Sequence, residues 1–146
     1  MPTYTVTYSN IQFSGPHLED IAQAITKTHN QCTGANIYFA QVIFQETPSG
    51  KHFMGGKLVN HPQIFLHGQI RAGRTAELKE KLLLSMRDSL IKSTGLSKDQ
   101  IWVYLIDLIP EQMIEYGEIL PPSGKESEWF ANLPSELQTK LKALEK

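Results

Sequence analysis

Ile64-Phe65-Leu66-His67-Gly68-Gln69-Ile70-Arg71-Ala72-Gly73-Arg74-Thr75 is the stretch that decides the fold. Its first seven residues are mostly large and apolar, the composition of a strand. They run into a short polar connection that ends on Thr75, a residue type suited to capping a helix. Leu78, Leu82, Leu83, Met86 and Leu90 then recur at helical spacing, and Gly95 stops the pattern. A further strand follows over 101–106, Ile-Trp-Val-Tyr-Leu-Ile. One helix between two strands predicts a right-handed crossover that pairs the strands in parallel.

The first half of the chain has the same plan. Residues 3–8 alternate as a strand, and Ser14-Gly15-Pro16 reads as a capped helix start with proline in the first turn. Leu18, Ile21, Ala22 and Ile25 mark the buried face of that helix, with His29 on the same face. Cys32-Thr33-Gly34 ends it, and residues 39–44 are expected to form the next strand before Pro48-Ser49-Gly50. Pro48 and Pro110 each follow a closing strand, an offset of roughly 62 positions that has the look of an internal repeat. The expected architecture is α/β, an α+β sandwich. Two βαβ units, about 2–48 and about 64–110, build a four-stranded sheet with both helices on one face. A tail over about 111–146 completes a single domain, 1–146. The strand at 101–106 is apolar on both faces, so the second sheet face also needs cover, and self-association is the simplest source. The tail carries Trp129-Phe130 and a short amphipathic helix with Leu137, Leu141 and Leu144, expected to pack on a neighbouring surface.

Composition sets the outer limits. With 146 residues, 14 basic against 15 acidic side chains and a net charge of -1, the chain offers no global attraction for nucleic acid or an anionic membrane. Its single cysteine, Cys32, excludes an intramolecular disulfide framework and a Cys-rich zinc site. No secretory signal and no run of about 20 apolar residues is present, so a cytoplasmic location is expected.

Several polar residues stand where chemistry is possible. Arg71 and Arg74 lie between a strand and a helix start, where the helix dipole already places positive charge. Two guanidinium groups there make sense around an anion such as a carboxylate or phosphate. The plain alternative is two solvated arginines, or pairs with Glu77 or another acid. His29 is either a satisfied core histidine or a ligand-facing one. Tyr104 is mid-strand, where a buried hydroxyl needs a partner. Glu115 has apolar neighbours that would favour its neutral form, against the alternative of a solvated loop carboxylate. Pro2 becomes a free secondary amine once Met1 is removed, and α-amino groups titrate near neutrality. With Met1 attached it is an amide with no basic nitrogen.

These residues, with Pro2-Thr3-Tyr4, Ala24-Ile25-Thr26, residues 40–46, Ile101-Trp102-Val103-Tyr104, Glu115-Tyr116-Gly117 and Glu128-Trp129-Phe130, make the chain resemble the tautomerase superfamily. The likeness is to its cis-3-chloroacrylic acid dehalogenase group. The six polar site positions of that group are filled in order by Pro2, His29, Arg71, Arg74, Tyr104 and Glu115. The resemblance implies a homotrimer, no metal or organic cofactor, and a small carboxylate substrate held by Arg71, Arg74 and His29. It implies that Glu115 and Tyr104 activate water while the Pro2 ammonium protonates carbon. A protonated His29 and the two arginines would lower the Pro2 pKa, and an ionised Glu115 would raise it. A raised value, and with it hydratase-type chemistry, is the expectation. The loop 30–35 departs from the pattern: Ala35 stands where the resemblance implies a hydroxyl-bearing side chain in an efficient dehalogenase. The other readings are a keto-enol tautomerase of arylpyruvate or dienol acids, and a non-catalytic interaction protein that keeps the fold.

Overall fold

The computed structural model describes residues 2–146. Its elements in chain order are β1 (Thr3–Ser9), α1 (Gly15–Thr33), β2 (Gln41–Glu46), a short hairpin of β3 (Phe53–Met54) and β4 (Lys57–Leu58), β5 (Gln63–Arg71), α2 (Ala76–Thr94) and β6 (Ile101–Leu108). A second hairpin of β7 (Ile114–Glu115) and β8 (Glu118–Ile119) follows, then α3 (Glu126–Ala131) and α4 (Ser135–Leu144). The sheet order is β2-β1-β5-β6. Each βαβ unit pairs its strands in parallel, and the two units join antiparallel between β1 and β5. The parallel pairing within each unit and the four-stranded sheet agree with the sequence expectation.

The repeat extends to the helix ends. Ser14 and Thr75 accept the backbone N–H groups of His17 and Leu78, satisfying donors that a helix start leaves open. Gly34 and Gly95 close the two helices at φ 74° and 75°, left-handed geometry that favours glycine. The strand expected at 39–44 lies two residues later, because Ile37–Phe39 forms a 3-10 turn that buries Tyr38 and Phe39.

Alternation along the strands sorts the sheet faces. Tyr4, Val6, Ile64, Leu66 and Ile70 are fully buried under Ile21 and Ile25 of α1 and Leu82, Met86 and Leu90 of α2. Each such side chain contributes about 1.5–3 kcal/mol relative to exposure. Among the described residues no helix covers the opposite face, and only the β3–β4 hairpin borders a cavity with Phe65, Trp102 and Tyr104. Ile43, Trp102, Tyr104 and Ile106 remain between 41% and 52% exposed there. The tail finds its neighbouring surface within the subunit. It packs on its own chain, where Leu133 and Leu141 join Tyr38, Phe39 and Leu120 in a second core, although Leu144 stays exposed. The 3-10 turn supplies the aromatic anchor that draws the tail inward.

Gly68 marks the tightest point between sheet and site. A Cβ there would lie 2.5 Å from Tyr4 Cε1 and 2.8 Å from Leu105 Cδ2. Gly68→Ala should therefore cost about 1–3 kcal/mol by overpacking, read as a lower urea midpoint at unchanged slope. Unchanged stability would mean that the Tyr4 ring moves freely.

Candidate active site

Strand β5 ends on Arg71, and the following loop carries Arg74 to the capped start of α2. Arg71 is 6% exposed and extends beneath the tail. Its Nη1 donates to the Pro121 carbonyl at 3.4 Å, and its Nη2 forms an ion pair with Glu126 at the start of α3. Its Nε is buried with no hydrogen-bond partner among the described residues. Arg74 Nη1 donates to the Arg71 carbonyl at 2.7 Å, and no carboxylate of the described residues pairs with Arg74. Burial, then the neighbouring Arg71 charge, lowers the Arg74 pKa from its ordinary value. Arg71 and Arg74 line a cavity of about 480 Å³ with Ala35, Phe39, Ser123 and Glu126.

His29 lies nearby on the buried face of α1, 2% exposed. Tyr4 reaches it from β1, with the hydroxyl 2.7 Å from Nδ1 and the rings edge to face. With the Tyr4 hydroxyl as donor, one buried group of this pair, the His29 Nε2–H, has no partner among the described residues. The opposite tautomer would strand two groups, the tyrosine proton and a bare Nε2, so the first assignment is the lower in energy. Burial, and after it the Arg74 charge, pushes the His29 pKa down to about 3. The protonated His29 expected from the sequence is thereby corrected: the ring is neutral, and its free Nε2–H is a donor without charge.

The other candidates are distributed around this centre. Pro2 is buried at the head of β1, and its carbonyl accepts the Gln41 N–H at 3.0 Å. The expected removal of Met1 concerns a residue outside those described. Glu115 is half-buried in the β7–β8 hairpin. It lines a second cavity with Thr3, Ala40 and Gln41, which shares its Phe39 wall with the arginine cavity. Tyr104 is not brought to this region. It is 52% exposed on the sheet face opposite the helices, against Phe65 and Trp102, rather than in the core. Sequence reading missed Tyr4 and Glu126. Tyr4 stood in the inward register of its strand, where a hydroxyl needs a partner, but nothing in the sequence tied Glu126 to Arg71.

The comparisons with known proteins assign the fold and the family. Residues 1–132 match the family described as "Putative oxalocrotonate tautomerase enzyme". The chain belongs to that tautomerase family. A solved member of the cis-3-chloroacrylic acid dehalogenase family superposes with a TM-score of 0.92 at 33% identity, covering 97% of this chain and 99% of that one. Native Ps01740 gives 0.72 at 26% identity, covering 77% and 99%. A fused 4-OT described as a symmetric trimer gives 0.73 at 20%, covering 81% and 94%, and supports the fold alone. No curated protein sequence matches. Among the described residues no group of three His, Cys, Asp or Glu side chains could hold a metal ion, and no helix is long and apolar enough to cross a membrane.

The neutral, buried His29 has a consequence for stability. Its pKa is about 6.5 in the unfolded chain and about 3 in the fold, so the unfolded state binds the extra proton between those values. Stability is complete above pH 6.5 and falls as pH drops through this window. Going from pH 7 to pH 5 should remove about 2 kcal/mol through this group. Urea unfolding at both pH values should show a smaller drop for His29→Gln than for the wild type. Equal drops would contradict a buried neutral ring.

Proposed function

We propose that this protein is a cofactor-independent hydratase or hydrolytic dehalogenase of small unsaturated carboxylic acids, working through Pro2 as a free N-terminal amine. The observation that carries the reading is the cavity lined by Arg71 and Arg74, with a neutral His29 near enough to feel the Arg74 charge. Two guanidinium groups and an uncharged donor suit a carboxylate, whose two oxygens accept several hydrogen bonds.

In this reading Arg74, with Arg71 and His29, holds the substrate carboxylate and draws electron density away from C3. Glu115 takes a proton from water as the water oxygen bonds to C3, with Tyr104 orienting it. The Pro2 ammonium delivers its proton to C2. A propiolate becomes the enol of malonate semialdehyde. A 3-haloacrylate becomes a halohydrin, which releases halide and a proton to give malonate semialdehyde. The neutral His29 supports this assignment, because it removes one positive charge that would depress the Pro2 pKa. Proton delivery requires Pro2 to remain cationic at the working pH.

Tyr104 is half exposed on the sheet face opposite the helices, so a second copy seated on that face would bury it. We take the functional unit to be a homotrimer, as described for the fused 4-OT, with Tyr104 entering the site of an adjacent copy. Ala35 lies on the cavity wall where the resemblance implies a hydroxyl in an efficient dehalogenase.

Turnover of propiolate, cis-3-chloroacrylate and phenylenolpyruvate by the wild type, Pro2→Ala and Arg74→Gln tests this reading, with the intact mass recorded for each. Processed wild type should form malonate semialdehyde, and Pro2→Ala should lose about 10²–10⁴-fold. NMR titration of Pro2 should give a value above 7. Retained Met1 with undiminished turnover would reject proline chemistry. A Pro2 value well below 7 with rapid ketonisation of phenylenolpyruvate would make the protein a tautomerase instead.

A further inference from the structure

Glu126 has no part in the chemistry above, yet its carboxylate is on the wall of the arginine cavity. It projects from the start of α3 and pairs with Arg71 Nη2, holding the tail over the end of β5. Burial opposes its ionisation. Its own backbone N–H, Arg71 and the Gly124 N–H outweigh that opposition and hold its pKa below the ordinary carboxylate range. It is therefore an anion at neutral pH. Among the residues lining the cavity, only Arg71, Arg74 and Glu126 are charged. Glu126 neutralises the more buried arginine. Arg74 is left as the cation of the cavity with no acidic partner among the described residues.

We propose that Glu126 sets the charge class of the ligand: paired with Arg71, it leaves the cavity one net positive charge, so the cavity takes a small monocarboxylate and turns away a dicarboxylate. This rests on the carboxylate reading of the same site. A single carboxylate balances Arg74 and accepts from its guanidinium. A second carboxylate would have to face Glu126 at short range in a partly desolvated space, or displace it from Arg71. Displacement would undock the start of α3 and leave a buried guanidinium to be paired anew. Glu126 thus acts as a built-in occupant of the second anion position, and specificity comes from repelling the wrong ligand as much as from holding the right one.

Crotonate and fumarate differ only in a methyl group against a second carboxylate, and make a matched pair of probes. Isothermal titration calorimetry at pH 7 should show the wild type binding crotonate at least tenfold more tightly than fumarate. Glu126→Gln frees Arg71, and should narrow the crotonate-to-fumarate ratio at least tenfold. Glu126→Asp retains the charge and should retain the preference. Ser127→Lys, at an exposed position on the cavity wall, adds a positive charge without touching the ion pair. It should narrow the ratio in the same direction, and keeps the proposal testable if Glu126→Gln does not fold. A ratio unchanged in every folded charge variant overturns the role of Glu126 while leaving the carboxylate site intact. Fumarate bound by the wild type as tightly as crotonate also overturns it. A wild type that binds neither acid removes the carboxylate reading, and this proposal with it.

Discussion

A strand can offer only every second side chain to a given face, and here that constraint sets what each part of the molecule can do. In β1 and β5 one register, Tyr4, Val6, Ile64, Leu66 and Ile70, is driven under the helices by the free energy of burying apolar surface. The other register, Thr5 with His67 and Tyr104, is left facing outward. The same alternation that builds the core therefore separates Tyr104 from His29 within one chain. It also leaves an apolar surface that no helix of the described residues covers.

The inward register does more than fill space. Gly68 sits beside Tyr4 in the pairing of β1 with β5, and its missing side chain lets the Tyr4 ring lie flat enough to reach α1. The hydroxyl then settles the proton on His29. A packing detail of the sheet becomes a statement about charge at the site, since a neutral donor and an imidazolium act differently on an adjacent amine. The arginines follow the same economy of charge. Two cations at a helix start would repel each other and the helix dipole, and Glu126 relieves part of that cost from a distant part of the chain.

Much of this was legible in the sequence. Helical spacing in 78–90, the capping residues Ser14 and Thr75 and the stop glycines Gly34 and Gly95 are local signals, and they agree with the observed helix ends. Strand alternation and the short connections dictate parallel pairing within each unit. The 3-10 turn at Ile37–Phe39 escaped notice because its residues are as apolar as the strand that follows. The tail was legible only in part, because an amphipathic helix announces that it needs a partner surface without naming one.

Residue types and spacing alone determined the two βαβ units, the placing of Arg71 and Arg74 at a helix start and of His29 on a buried helical face. These depend on neighbours a few positions apart, whose geometry the backbone repeats dictate. Tertiary structure alone decided the Arg71–Glu126 pair, the Tyr4–His29 hydrogen bond and the neutral ring that results. Those depend on which distant groups share a space with little water, and pKa and pairing respond to that surrounding rather than to sequence distance.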